Sequence, residues 1–454
     1  MESHGSSGTS VCVRLRPPNS RESGVRCLAR AGDAAVAFSP PAAEGGGGGA
    51  PAPNQFTFNK VYGEGATQAD VFEDCRRVVH GVLAGVNGTI MAYGQTGSGK
   101  THTLIGDVTH PELRGIVPRA VQALGEGIAA DASAAEYEVR LTVVEIYCER
   151  VRDLLDPLGR DNLAIKQGRD GGMFVEGAPG PGRGATEVCV TDEAQLVGLM
   201  NAGLAARAVT ATNMNATSSR SHCIVTVAVE KACPDGSTVA GKLRMVDLAG
   251  SERQDKTGAA GQTLVEGSQI NRSLSALANV VAALTEGGGG GAGGGSHIPY
   301  RDSKLTRMLQ DSLGGSARTL LVINCSPCAD NAAETLSSLR FGSRALGIKN
   351  TVAVNRRLSP EALQQQLAQA RAELEALRRE MAALKLDGAA GAAACAAPGR
   401  DAAADAFGAV AVSRAAAEQP PPPAPWAVGL AVAAGLLLYF ALIEDWALRG
   451  RLLV

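Results

Sequence analysis

Residues Gly94–Thr101 read Gly-Gln-Thr-Gly-Ser-Gly-Lys-Thr, which fits the pattern G-x-x-x-x-G-K-[ST] of a phosphate-binding loop. In such a loop, successive backbone N–H groups form a nest for phosphate oxygens. The N-terminus of the following helix adds a favourable dipole. Lys100 is expected to reach the β and γ phosphates, and the Thr101 hydroxyl to ligate Mg²⁺. An apolar strand-like run, Thr89 to Tyr93, stands directly ahead of the loop, as the chemistry requires.

A metal beside a triphosphate needs a carboxylate. Leu243 to Leu248 is an apolar strand-like run that carries Asp247 near its end, followed by Ala249, Gly250, Ser251 and Glu252. An Asp there can hold Mg²⁺ through water, and the N–H of a side-chain-free Gly250 can approach a γ-phosphate. Asn215 to His222 reads NATSSRSH and offers hydroxyls and an arginine. Taken alone, that run is a polar turn.

These residues need a scaffold. Val11–Leu15, Thr89–Tyr93, Val139–Tyr147, Ile224–Val229, Leu243–Leu248 and Leu320–Asn324 read as strands, and Asp70–Leu83 and Leu264–Leu284 as helices. The mixture predicts an α/β domain with a largely buried sheet. Two inserts, Glu44 to Pro53 and Gly287 to Ser296, are too rich in Gly, Ala and Pro to bury much surface, so they read as surface loops. Hydrophobic residues make up 45% of the 454, which excludes a wholly disordered chain. The net charge of −2 excludes a general polyanion binder, and no nucleic-acid partner is expected. Any acidic partner must meet a local basic patch.

Ten cysteines without an even framework, and no apolar run in Met1 to Ser10, predict a reducing, cytosolic setting. Cys325 and Cys328 read C-x-x-C, but no second pair accompanies them, so they read as a strand end.

Beyond the body, Pro360 to Leu386 reads as a helix. Leu363, Leu367, Ala370, Leu374, Leu377, Met381 and Leu384 recur at 4-3 spacing, a seam of period 3.5. With Leu367 at a, Glu373 and Glu380 fall at g, and Arg378 and Lys385 at e. Each acid then precedes a base at the interchain pairing distance of a parallel homodimer. A single amphipathic helix lying on the body would carry the same pattern. Residues 387–425 read as a disordered Ala, Gly and Pro linker. Trp426 to Ile443 carries no charge over 18 residues, about 27 Å of helix, with Trp426 and Trp446 near its ends. It is expected to be a transmembrane tail anchor, with 444–454 a short tail.

GQTGSGKT, NATSSRSH and DLAGSE in that order resemble the kinesin motor domain. So do Arg14-Leu15-Arg16-Pro17 and the run HIPYRDSKLTRMLQDSLGG from His297 to Gly315. The resemblance covers about Thr9 to Asn355. It leans toward conventional kinesin heavy chain, whose neck linker IKNTVAVN, Ile348 to Asn355, resembles. It implies a P-loop NTPase fold over 9–347, with a mixed sheet flanked by helices, and a neck linker over 348–359. ATP and Mg²⁺ are the implied ligands. Arg14, Arg16 and Pro17 would border the adenine, with His102 on its other face. Gly94, Gln95, Thr96, Gly97, Ser98, Gly99, Lys100 and Thr101 would cradle the phosphates. Ser218 and Ser219 belong to the first switch, Ser219 facing Mg²⁺ and the γ-phosphate. Asp247 and Gly250 belong to the second, and Arg220 and Glu252 would form a salt bridge that closes the site. Arg253, Lys256, Arg272, Tyr300, Arg301, Lys304 and Arg307 match positions that face the microtubule.

The departures are specific. Ser268 stands where conventional kinesin carries a lysine, and Cys148 where the E-I-Y-N-E segment carries Asn. The poly-Gly insert beside the basic patch has no lysine. The resemblance implies a microtubule-stimulated ATPase, plus-end directed because the neck follows the motor, on microtubules and anchored to an organelle membrane. A non-motile tether between microtubule and membrane is the alternative. A GTPase would need an N/T-K-x-D motif after the second switch. Asn59-Lys60-Val61-Tyr62 lacks the Asp and precedes the P-loop.

Overall fold

The computed structural model describes residues 6–22, 24–40, 52–133, 135–156, 161–168, 172–176, 185–190, 193–213, 218–252, 262–286 and 297–394. The chain divides into two compact units, Met1–Glu375 and Ala376–Val454.

In the first unit a long mixed sheet organises everything else. Across it run the strands Val188–Val190, Glu136–Tyr147, His222–Ala232, Thr238–Asp247, Gly88–Tyr93, Arg318–Cys325, Ser10–Leu15 and Lys60–Tyr62. Arg150–Asp153 and Arg356–Arg357 join it on Glu136–Tyr147 and Thr238–Asp247. Gly88–Tyr93 is paired in parallel on both sides, while His222–Ala232 is antiparallel to both its neighbours. The six strands read from the sequence are all present, each longer by a residue or more.

The central strands are buried on both faces, and alternation decides which neighbour each side chain meets. Ile90, Ala92, Leu320 and Val322 pack with Val71, Val79, Ile116 and Val121 from the helices Gln68–Leu83 and Ile116–Ala129. Met91, Tyr93, Leu321 and Ile323 face Leu277, Val281, Leu339 and Phe341 from the helices Gln262–Glu286 and Ala332–Ala345. Each fully buried side chain of this kind stabilises by about 1.5–3 kcal/mol relative to exposure. The long helix Gln262–Glu286 also packs against Tyr300–Asp302 and Lys304–Met308.

Helix Gln68–Leu83 begins two residues ahead of the reading from hydrophobic spacing. Thr67 and Asp70 form a reciprocal capping box, Asp70 N donating to Thr67 Oγ1 at 3.2 Å and Thr67 N to Asp70 Oδ2 at 2.8 Å. Cys148 and Glu149 both take positive φ, 49° and 59°, in the tight turn between Glu136–Tyr147 and Arg150–Asp153. That conformation suits Asn better than Cys. Cys325 and Cys328 are both buried free thiols.

The residues that the resemblance reads as a neck linker form strands. Lys349–Thr351 pairs antiparallel with Ser6–Gly8. Ile348 is fully buried, and its carbonyl accepts from Thr9 N at 2.9 Å. Asn355 Nδ2 donates to Gly85 O, Asn87 Oδ1 and Ala240 O at 3.0–3.2 Å.

The helix after the neck runs Pro360–Ala394, past the expected end at Leu386 and into the segment read as linker. Its alanines favour helix strongly enough to extend it. The seam residues Leu363, Leu367, Leu377 and Met381 are exposed by 51–58%. Among the described residues no helix is long and apolar enough to cross a membrane. The expected anchor at 426–443, the tail at 444–454, the rest of the linker and most of both glycine-rich inserts lie outside the described residues.

Candidate nucleotide site

The P-loop leaves the end of strand Gly88–Tyr93 and enters the short helix Lys100–Leu104. Gly94 has φ 147°, and a Cβ there would stand 2.3 Å from Asn324 O on the neighbouring strand, so only glycine fits. Lys100 is buried. Its Nζ donates to Gly94 O and Gln95 O, each at 2.8 Å. Burial lowers its pKa to about 8, against the pull of Asp247 and Glu252. Among the described residues, Gln95 Oε1 and Ser98 Oγ are buried without a hydrogen-bond partner.

Two parallel neighbours, Gly88–Tyr93 and Thr238–Asp247, bring the metal candidates together. Thr101 Oγ1 donates to Asp247 Oδ2 at 2.8 Å. Among the described residues, Asp247 Oδ1 is buried and has no hydrogen-bond partner. An orphan carboxylate oxygen beside a hydroxyl fits a hydrated divalent cation. Thr101, Ser219 and Asp247 are the residues that would hold Mg²⁺.

The two segments that the resemblance reads as switches meet at the same place. Gly250 N donates to Ser219 O at 2.8 Å, and Ser251 N to Gly94 O at 3.1 Å. Ser219 and Arg220 lie in the turn Ser218–Arg220 and are half-buried. The resemblance pairs Arg220 with Glu252, but the carboxylate of Glu252 lies elsewhere. It accepts from Thr96 N at 2.8 Å and from the Thr96 hydroxyl, closing the P-loop against the second switch. A Cβ at Gly250 would fall 2.2 Å from Glu252 Oε2 and 2.3 Å from Thr96 Oγ1, so this closure also needs glycine.

The adenine-side residues form a cleft. Arg14, Arg16, Pro17, Ser98, Gly99 and His102 line a cavity of about 150 Å³. The guanidinium of Arg14 faces inward. It donates to Gln68 Oε1 at 2.8 Å and Thr103 Oγ1 at 2.9 Å, and so braces the cleft from below. Arg16 donates through Nε to Gly97 O at 2.7 Å and forks onto Glu22 at 2.5–2.8 Å. The Arg16 fork first, then the surrounding donors, holds the Glu22 carboxyl down at about 2. Glu22 also accepts from Ser326 Oγ and Asn331 Nδ2, tying this loop to the end of strand Arg318–Cys325.

Four partners were not read from the sequence. Arg207, from helix Glu193–Asn213, donates through Nη1 to Asp247 Oδ2 at 2.9 Å and through Nη2 to Ser221 O at 3.0 Å. A cation amid alanines was its only signal. His222 accepts from Ala249 N at Nδ1 (3.0 Å), so its Nε2–H donates to Ser273 Oγ at 2.8 Å. Burial, with Arg207 and Lys100 nearby, lowers its pKa to about 3 and keeps it neutral. His222 thereby joins the second switch to helix Gln262–Glu286. It is the last residue of NATSSRSH, where it had been given no role. Gln68 and Asn324 brace Arg14, His102 and Thr103.

The basic candidates divide. Arg272 and Arg301 are exposed, and Lys304 and Arg307 are half-buried. Tyr300 turns its hydroxyl inward, donating to Leu313 O at 2.5 Å. Arg253 and Lys256, the side chain of Ser218 and that of Ser268 lie outside the described residues.

Residues 14–348 match the kinesin motor domain family. The chain is 47% identical over 326 residues to the kinesin heavy chain of Neurospora crassa, covering 71% of this chain and 34% of that one. It is 42% identical over 334 residues to kinesin heavy chain isoform 5C of Mus musculus, with 73% and 34% covered. This chain spans about a third of the length of these heavy chains. A solved structure of a fast kinesin, described for its ATPase mechanism and its interactions with microtubules, is 43% identical. It superposes with a TM-score of 0.69 over 78% of this chain and 95% of that one. By sequence and by fold alike, this chain belongs to the kinesin motor family.

Proposed function

We propose that the chain is a microtubule-stimulated ATPase motor, plus-end directed and anchored to a membrane by residues 426–443. The observation that carries the catalytic part is the meeting of Lys100, Thr101 and the orphaned Asp247 oxygen with both switches at one P-loop. Lys100 would exchange the carbonyls of Gly94 and Gln95 for phosphate oxygens. Thr101, Ser219 and Asp247 would hold Mg²⁺, which neutralises phosphate charge when bound. Gly250 N, now on Ser219 O, is placed to turn toward a γ-phosphate. Glu252, now on Thr96, would have to leave that hydroxyl to meet Arg220. Such a site works by position and charge rather than by a strong base.

Movement requires an element that both states bias. The His222–Ser273 hydrogen bond supports helix Gln262–Glu286 as that lever, because it ties the helix to the second switch. Arg272 and Arg301 offer local charge to an acidic track, so binding should weaken with salt. The neck, paired with Ser6–Gly8 and held by Asn355, supports plus-end output. The anchor and a parallel dimer along Pro360–Leu386 rest on sequence.

The first test is the ATPase of the full chain in detergent, with and without microtubules, beside Lys100→Ala. Stimulation absent from the variant supports the motor. Binding without stimulated turnover would replace it with a static tether. Gliding at undiminished speed by the double variant Ile348→Gly, Asn355→Gly would refute the neck's role.

A further inference from the structure

Residues Arg356-Arg357-Leu358-Ser359-Pro360 connect the docked neck to the long helix. Arg356 and Arg357 pair with Thr238 and Val239 at the sheet. Arg356 Nη2 donates to Asp235 Oδ2 at 2.5 Å, and its Nε to Ser237 Oγ at 3.1 Å. Both acceptors belong to the turn between strands His222–Ala232 and Thr238–Asp247. Ser359 is half-buried on the same turn. Its Oγ accepts from Ala362 N at 3.0 Å and lies 3.4 Å from where a Cβ on Gly236 would stand. One hydroxyl therefore lies at the start of helix Pro360–Ala394, two and three residues after two arginines and against the turn that carries Asp235.

We propose that Ser359 is a phosphorylation site for an arginine-directed protein kinase, and that its phosphate releases the docked neck. Two exposed guanidiniums, three and two residues ahead of the serine, are the charge pattern that carboxylates in a kinase substrate groove recognise. In the transfer, Ser359 Oγ bonds to the γ-phosphorus of the kinase's ATP. The bond from that phosphorus to the ADP oxygen breaks, and the hydroxyl proton passes to the kinase's own base. The product carries a charge of about −1.5 to −2 and three acceptor oxygens. Two consequences follow from the geometry. The new charge repels Asp235 across the turn, and its oxygens compete with Asp235 for Arg356. Both act against docking.

The reverse coupling holds as well. A kinase takes its substrate extended, whereas the docked segment keeps Arg356 on Asp235 and Ser359 on Gly236 and Ala362. Docking therefore protects the serine. Modification and release do not depend on the motor reading; only their effect on movement does.

The test uses the full chain in detergent with Mg-ATP and the catalytic subunit of a kinase that selects two arginines ahead of serine. Phosphate is located by mass spectrometry, and hydrogen exchange is then compared in one nucleotide state. The amides read are those of Asn355 and Ala240, which donate to Gly85 O and Asn355 O. Phosphate is expected on Ser359, and Ser359→Ala should lose it. Asp235→Ala, which frees Arg356, should be labelled faster. Exchange at the two amides should rise at least about tenfold, with strand Gly88–Tyr93 unchanged. An unlabelled Ser359 would overturn the site. A labelled Ser359 with unchanged exchange would overturn the release, and an unaltered rate in Asp235→Ala would overturn the protection.

Discussion

Around Asp247 the charges are buried: Arg207 and Asp247 are each 4% exposed at the side chain, and Lys100 lies beneath the P-loop. Along the neck the corresponding pair, Arg356 and Asp235, is 52% and 55% exposed. Both pairs are short and well aligned, yet they differ in how readily they give way. At the first site burial makes every unpaired atom costly, so a contact there would be given up only for another strong partner such as a phosphate oxygen or a metal-bound water. At the second, water and salt compete directly, so the contact forms and breaks with little change in the body. In the proposed motor the chemistry would belong to the first environment and the reversible motion to the second.

The largest test of this contrast is Lys100→Ala, which should reduce turnover by on the order of 10²–10³-fold in a steady-state ATPase assay. Retained turnover would deny the P-loop its role. Arg207→Ala comes next. It leaves Asp247 buried without its ion-pair partner and should cost about 3–5 kcal/mol in urea unfolding of the body. A loss near zero would mean that the site is wetter than its burial indicates.

Proton linkage gives a third measure. In the free site Lys100 titrates at about 8, and phosphate would favour its charged form. Nucleotide binding therefore takes up a proton above that pH. Affinity measured by calorimetry should fall by about tenfold per unit as pH rises past 8. A flat profile from pH 7 to 9 would contradict the buried, unneutralised lysine. On the neck side, Asn355→Ala removes donations to three acceptors and should loosen the docked segment by about 1–2 kcal/mol, read by hydrogen exchange. The melting temperature of the body should not move. The smallest change is Cys148→Asn, expected to stabilise the body by about 1 kcal/mol by relieving the left-handed turn.

How much was legible differed between the two regions for the same physical reason. Gly94–Thr101 is a contiguous motif whose residue types phosphate chemistry requires, so its spacing is legible; Asp247 is legible as an acid at a strand end, and Glu252 only through the resemblance. The helix Pro360–Ala394 was likewise legible from period 3.5, although its alanine-rich end was not. Arg207 and His222 were not legible as site residues. Arg207 lies 40 positions from Asp247, on a helix whose pattern says nothing of the strand it meets. The capping box of Thr67 and Asp70 lies ahead of the first apolar position of the helix, Val71, so apolar spacing alone does not show where the helix begins. The resemblance pairs Glu252 with Arg220, whereas in the structure its carboxylate lies on Thr96 beside Gly250, a contact between segments 156 positions apart that no local pattern carries.

The sequence by itself determined the phosphate-loop pattern, the order of its polar motifs, the strand-like apolar runs and the period-3.5 pattern of apolar residues in Pro360–Leu386. These depend on neighbours in the chain and on local periods. Tertiary structure alone decided which cation meets Asp247, that Arg14 braces the cleft from within, that His222 links the second switch to the long helix, and that Arg356 and Ser359 sit on one acidic turn. Those contacts join distant segments, and their partners are chosen by sheet register and by the cost of leaving a buried polar atom unpaired.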